Sequence, residues 1–115
     1  MTKIECILRP KVILELKNAL GKLGIQGMTV TEAIGFGSQK GHKGRVEKNW
    51  STELDINLLP KTKVEMVVPD YTVDEIIKVI INTARTGQIG DGKIFTYPVR
   101  NAIRIRTGES GEDAI

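Results

Sequence analysis

The chain has 115 residues, with 17 lysines and arginines against 14 aspartates and glutamates, and a formal net charge of +3. The whole excess lies between residues 38 and 50, where Lys40, Lys43, Arg45 and Lys48 face only Glu47; this neutral body with a basic insert excludes a disordered polyelectrolyte and a histone-like DNA coat. No apolar run approaches the roughly 18 residues of a membrane span, and the amino terminus has no apolar signal core. The single cysteine, Cys6, cannot form an internal disulfide. We therefore expect a cytoplasmic protein.

The first third of the chain predicts a strand, a helix and a second strand. Lys3–Leu8 alternates, with apolar side chains at every second position on one face. Lys11–Leu23 has apolar residues at helical spacing, and Gly24 supplies a stop. Gly27–Phe36 alternates again and is rich in β-branched residues, which favour a strand.

The stretch from Gly37 to Asp55 has no usable period and is too long for an ordinary hairpin connection. We therefore expect a mobile functional loop at about residues 37–57. Trp50 beside basic side chains is typical of a contact with a protein partner, although local packing of the same side chain is equally compatible with the sequence. The predicted partner-binding residues of this loop are Lys43, Arg45, Lys48 and Trp50.

The second half repeats the first. Lys61–Val68 predicts a strand, Thr72 and Glu75 fit a capping box, and the following helix is expected to end at Gly87 before a strand at Lys93–Tyr97. The segment of about residues 103–115 is a polar tail.

The two halves align at a spacing of 60 residues, since Lys3–Leu8 matches Lys63–Val68. A duplicated βαβ unit predicts a single α+β domain over residues 1–115 with the ferredoxin-like plan, a four-stranded antiparallel sheet with two helices on one face. Ile7, Val67 and Phe95 would lie on the uncovered face, so we predict an oligomer that buries it.

Three stretches are candidate anion sites. Gly35–Gly41 and Gly87–Lys93 are rich in glycine, which lets backbone amides approach an anion, and alternation puts Arg104 and Arg106 on one side of an extended segment. A loop hinge, ordinary turn chemistry and a solvated edge are the respective alternatives. Because no serine or cysteine has a candidate base other than His42, a ligand-binding module is favoured over an enzyme.

These residues together resemble the PII nitrogen-regulatory signal-transduction proteins. The resemblance covers nearly the whole chain except residues 43–58. It is carried by Arg9-Pro10, Gly24–Glu32, Gly35–His42, Leu59–Lys61, Ala84–Phe95 and Ile103–Glu109.

The resemblance implies a homotrimer that binds ATP or ADP, with AMP as a further candidate ligand, in clefts between subunits and controls a target protein through the loop. The implied nucleotide-binding residues are Ile7, Thr29, Gly35, Gly37, Ser38, Gln39, Glu65, Val67, Gly90, Asp91, Gly92, Lys93, Arg104 and Arg106. The implied 2-oxoglutarate-binding residues are Gln39, Lys40, Gly41 and Lys61, and Gln39 would help to hold Mg²⁺ with ATP.

Two departures from the family bear on function. Ser38 stands where members usually have an arginine, so we expect weaker binding of ATP relative to ADP or AMP. No tyrosine lies between residues 37 and 70, so uridylylation of a loop tyrosine is not expected.

The implied targets are an ammonium channel, a metabolic enzyme or a regulator, with membrane association only through such a partner. The alternatives are a nucleic-acid-binding or a phosphate-handling ferredoxin-like module, although the first strand lacks the aromatic residues that stack bases, and no nucleic acid is expected.

Overall fold

The computed structural model of the protein describes residues 1–36 and 58–115. Its strands are β1 (Thr2–Leu8), β2 (Thr29–Gly35), β3 (Leu59–Val68) and β4 (Lys93–Pro98), and its helices are α1 (Ile13–Lys22) and α2 (Val73–Ala84). Short 3₁₀ turns lead into both helices, at Pro10–Val12 and Asp70–Thr72, and a third lies at Gly111–Ala114.

The four strands form one antiparallel sheet in the order β2-β3-β1-β4. The central pair is β1 and β3, which run from Thr2 opposite Val68 to Leu8 opposite Thr62. With two crossover helices on one face, this is the predicted ferredoxin-like double βαβ arrangement. The predicted strand bounds shift by one or two residues at most ends, as at β2, which begins at Thr29 and not at Gly27.

The core lies between the sheet and the two helices, and it is aliphatic. In β1 the buried residues are Ile4, Cys6 and Leu8, at the alternate positions that the sequence predicts. The helices contribute Leu16 and Leu20 from α1 and Ile76, Ile80 and Ala84 from α2, and β3 contributes Val64, Met66 and Val68. The Cys6 thiol is enclosed in this core, and burial raises its pKa to about 12, so it is a packing residue and not a reactive thiol.

Helix α1 ends as its glycine predicts. Gly24 has φ +81°, its amide donates to the Gly21 carbonyl, and the Ile25 amide donates to the Leu20 carbonyl. These two bonds define a Schellman motif, which needs a left-handed residue after the helix.

Two predicted features of helix α2 are wrong. The Thr72 hydroxyl does not cap the helix but donates to the Pro69 carbonyl at 2.7 Å, because the 3₁₀ turn already gives Thr72 helical backbone angles. The helix also ends at Ala84, three residues before Gly87; Arg85 is already extended and Gly87, with φ +84°, belongs to the following loop.

The face of the sheet opposite the helices, here called the open face, carries the odd-numbered residues of β1 and their partners. Lys3 lies at its centre, with its ammonium within 3.6 Å of carboxylates of Glu5 and Glu65 and 5.1 Å from the centre of the Tyr97 ring. Phe95 and Tyr97 are 42% and 43% exposed on this face. This mixture of aromatic and paired charged groups suits contact with another protein surface.

Candidate functional site

The loop between α2 and β4, here called the glycine loop (Thr86–Gly92), is folded around one carboxylate. Asp91 accepts hydrogen bonds from the backbone amides of Thr86 and Gly87, each at 2.8 Å, and from the Thr86 hydroxyl. Gly90 and Gly92 have φ of +102° and +106°, which only glycine adopts without strain. The loop is therefore a preformed turn that the Asp91 carboxylate stabilises from inside.

Arg9, the residue that follows β1, secures this loop to the sheet. Its guanidinium donates to the Asp91 carboxylate at 2.5 Å, to the Ile89 carbonyl at 2.9 Å and to the Thr86 hydroxyl at 3.4 Å. The side chains of Arg9 and Asp91 are only 18% and 23% exposed. A planar cation with several fixed donors is well suited to such a multiple contact.

These contacts hold the pKa of Asp91 well below its ordinary value of 3.8. The hydrogen bond from the Thr86 hydroxyl is the largest cause. Desolvation, the second largest, opposes it, and the hydrogen bonds from Arg9 and from the Thr86 and Gly87 amides lower the pKa further. All of these donors favour the charged form. Asp91 is thus ionised at neutral pH.

The pKa of Asp91 is lower in the folded protein than in the unfolded chain. The ionised carboxylate therefore stabilises the fold at any pH above the pKa that Asp91 has in the unfolded chain, and this contribution is lost as the pH falls below about 4. We expect Asp91→Asn to be less stable than the wild type at pH 7. The difference in unfolding free energy should shrink steadily below pH 4. Urea titrations at pH 7, 4 and 3 check this; a difference that is the same at all three values would contradict the role of the ionised carboxylate.

Lys61, near the start of β3, reaches the same loop. Its ammonium donates to the Gly90 carbonyl at 3.1 Å, and its pKa is lowered by burial and by the neighbouring Arg9 charge, against the effect of Asp91. The aliphatic part of Lys61 passes over Gly35, where a Cβ atom would come within 2.8 Å of the Lys61 Cγ. Two cations and two glycine-bearing segments therefore meet at one end of the sheet.

Gly92 allows the loop to lie directly on β1. A Cβ atom at this position would be 1.9 Å from the Ile7 carbonyl oxygen and 3.0 Å from its carbon. The next residue, Lys93, begins β4 opposite Ile7. The close approach of Gly92 to Ile7 therefore fixes the position at which Lys93 leaves the glycine loop and enters β4.

The predicted adenine contacts, Ile7, Thr29, Glu65 and Val67, share the open face. Thr29 is opposite Glu65, but Ile7 is opposite Lys63 whereas Val67 is opposite Lys3. Four residues of strand separate Ile7 from Val67, a distance of about 13 Å. The fold of one chain thus brings these residues to one face of the sheet but does not cluster them at one point.

A cleft of about 480 Å³ flanks the glycine loop on the other face of the sheet, between α2 and β4. Its walls are mostly apolar, with residues such as Ile80 and Ile94, and the charged residues Arg85, Asp91 and Lys93 also line it. This volume does not coincide with the predicted adenine residues, which lie on the open face.

The prediction that Arg104 and Arg106 lie on one side of an extended segment is wrong. Residues 105–107 form a turn, because the Gly108 amide donates to the Arg104 carbonyl and the chain returns to pair Ile103 with Ser110. Arg104 donates to the Glu109 carboxylate at 3.1 Å, and Ile105 at the turn is 99% exposed.

The turn that carries the two arginines follows the far end of the sheet. Beyond β4, the Val99 amide donates to the Met1 carbonyl, so the chain leaves where β1 begins, whereas Arg9 follows the end of β1 about 20 Å away. The remaining site predictions, Gly37, Ser38, Gln39, Lys40, Gly41, Lys43, Arg45, Lys48 and Trp50, lie outside the described residues.

Arg9 and Thr86 are not among the predicted site residues, although both contact the Asp91 carboxylate. Both lie in stretches that carry the family resemblance, but no local chemical pattern assigns either of them to the site, since Arg9 is 82 residues from Asp91 in the chain. Only the pairing of β1 with β4 brings them together. Within residues 1–36 and 58–115, no group of three or more His, Cys, Asp or Glu side chains could hold a metal ion.

The fold and this loop define a ferredoxin-like α+β protein with a preformed glycine-rich turn at one end of its sheet. The family model described as nitrogen regulatory protein P-II matches residues 1–109. The chain is 53% identical to the nitrogen regulatory protein P-II of Haemophilus influenzae, 52% to that of Rhodospirillum rubrum and 50% to nitrogen regulatory protein P-II 1 of Escherichia coli, each over 115 residues and the full length of both chains.

The chain belongs to the P-II family. It therefore has a nitrogen-regulatory role in signal transduction and is not an enzyme. P-II proteins act by interacting with target proteins. Among the helices that the structure describes, none is long and apolar enough to cross a membrane.

Proposed function

We propose that the protein is a cytoplasmic, trimeric sensor that binds ATP or ADP between its subunits and controls a target protein through the segment of about residues 37–57. P-II proteins bind ATP, ADP and 2-oxoglutarate, and Mg²⁺ with 2-oxoglutarate would join ATP in the same cleft. The observation that carries the proposal is the glycine loop, which Arg9 and Lys61 hold and from which Lys93 projects. Backbone amides at glycine next to cationic groups are a recurrent way to bind phosphate.

The placement of the nucleotide site between subunits is supported by two distances between predicted site residues that are too long for one subunit to form the site alone. Ile7 and Val67 are about 13 Å apart along the sheet, which is more than one adenine ring spans. Arg104 and Arg106 belong to a turn that follows the end of the sheet far from the glycine loop. A neighbouring copy can supply the missing half of each site, and a trimer would then hold three equivalent sites.

The open face supports the assembly. Its aromatic residues Phe95 and Tyr97 are partly exposed in one subunit. The charged groups beside them are already paired, since the Lys3 ammonium contacts the carboxylates of Glu5 and Glu65. A surface whose charges are neutralised internally costs less to bury than one with unpaired charges. We therefore place the trimer contact on this face.

Control of a target through residues 37–57 is supported by the flanks of that segment. Gly35 at the end of β2 is opposite Leu59 at the start of β3, and Lys61, two residues later, donates to the glycine loop. A ligand that reorganises the Lys61 contact acts directly beside the root of the segment. Ligand-dependent target affinity would make the coupling allosteric.

The test is calorimetry of the full-length protein with ATP, ADP and AMP, each with and without Mg²⁺ and 2-oxoglutarate. We expect saturable binding of ATP and ADP with one site per subunit. Because Ser38 replaces the family's usual arginine, we expect ATP to lose affinity relative to ADP. The absence of any binding at millimolar nucleotide would contradict the proposed function.

A further inference from the structure

We propose that Arg9 is a positioning residue for nucleotide binding, which sets the shape and charge of the glycine loop through Asp91 without contacting the ligand. The inference rests on the proposed function, since it assigns to Arg9 a role in the affinity of that site. Its physical basis is that one guanidinium secures three separate groups of a loop 77 to 82 residues away in the chain.

The contacts of Arg9 fix the loop at both of its ends. The Thr86 hydroxyl lies at the start of the loop, and the Asp91 carboxylate and Ile89 carbonyl lie near its end. Because Asp91 in turn holds the amides of Thr86 and Gly87, Arg9 determines where the carboxylate stands and hence where those amides stand. The guanidinium points into the protein's own loop, and only 18% of the Arg9 side chain is exposed.

The charge of Arg9 matters as much as its geometry. Asp91 places a negative charge inside a loop that is proposed to accept phosphate, and an unpaired carboxylate there would repel the ligand. Arg9 neutralises that charge at 2.5 Å. Asp91 can therefore order the backbone amides of the loop, and because Arg9 neutralises its charge it does not repel a bound phosphate.

The test compares ADP binding by calorimetry for the wild type, Arg9→Gln and Arg9→Lys. We expect Arg9→Gln to weaken ADP about tenfold, as loss of an outer partner does at metal sites. Arg9→Lys should recover part of the loss, because an ammonium restores the charge but not the planar fork. Arg100→Gln is the matched control, since it removes the same charge from an exposed residue beyond the far end of β4, and it should bind ADP like the wild type.

Hydrogen exchange of the ligand-free protein separates positioning from direct contact. We expect the Thr86 and Gly87 amides to exchange faster in Arg9→Gln and, to a lesser degree, in Arg9→Lys, before any nucleotide is added. A second check is a double-mutant cycle with Asp91→Asn, in which the effect of Arg9→Gln should be much smaller than in the wild-type background.

Three results would overturn the inference. They are unchanged ADP affinity in both Arg9 variants, weakened affinity with unchanged exchange of the two amides, and equal losses in the wild-type and Asp91→Asn backgrounds. The first leaves the proposed function intact, and the other two point to direct contact with phosphate. Failure of the wild type to bind ADP would instead refute the proposed function itself. If Arg9→Gln does not fold, Arg9→Lys supports the same comparisons.

Discussion

Gly92→Ala should detach the glycine loop from the sheet and abolish nucleotide binding. The added methyl carbon would lie 1.9 Å from the Ile7 carbonyl oxygen, a backbone atom that cannot move without disturbing β1. Alanine is also strained at φ +106°. We expect a loss of at least about 2 kcal/mol in unfolding free energy, measured by urea denaturation, and no detectable ADP binding by calorimetry.

Two other glycines separate the causes of this effect. Gly24 has φ +81° but open space around it, so Gly24→Ala should show the backbone strain alone, about 1 kcal/mol, with ADP binding retained. Gly21 lies inside α1 with an ordinary φ and open space, so Gly21→Ala should stabilise the protein by up to about 1 kcal/mol. If Gly92→Ala lost no more stability than Gly24→Ala and still bound ADP, the close approach to β1 would not matter.

Phe95→Lys should dissociate the proposed trimer into monomers and remove the proposed nucleotide binding with it. Phe95 is on the open face, directly opposite Glu5, and it is 42% exposed in one subunit. In the proposed trimer the new ammonium would be buried and would have to share the Glu5 carboxylate with Lys3, so one buried positive charge would lack full compensation, which costs several kcal/mol for each subunit. Light scattering after size-exclusion chromatography measures the mass, and calorimetry with ADP reports the sites.

Tyr71→Lys is the matched control for this prediction. Tyr71 is 83% exposed, on the 3₁₀ turn before α2 and away from the open face. Its replacement should leave both the mass and ADP binding unchanged. A Phe95→Lys protein that kept the wild-type mass would exclude the open face as the subunit contact, and a monomer that still bound ADP would exclude sites between subunits.

Periodicity in the sequence was sufficient to predict most of the fold. The alternation of Ile4, Cys6 and Leu8 identified the buried face of β1, since a strand sends every second side chain to the core. Gly24 marked the end of α1, because the left-handed residue of a Schellman motif is nearly always glycine. The internal repeat predicted the ferredoxin-like plan, because each half is too small to bury its own apolar face.

Local pattern failed where a distant or neighbouring segment competes for the same groups. Thr72 fits a capping box, but the Pro69 carbonyl accepts its hydroxyl hydrogen bond. Arg104 and Arg106 alternate as in a strand, but Ser110 returns to pair with Ile103 and closes a turn. The contact of Arg9 with Asp91 joins the two halves of the chain, and no short-range signal encodes it.

That contact between the two halves also decides when the site can first exist during synthesis. Arg9 is made 82 residues before Asp91, and the strand that carries Lys93 to β1 follows Asp91. A nascent chain that has completed α1 and β3 therefore lacks the organised loop, and long-range pairing of this kind is a late event. A nucleotide bound at the proposed site would stabilise only the chain in which β1 and β4 are paired, and would therefore favour completely folded copies over partly folded ones.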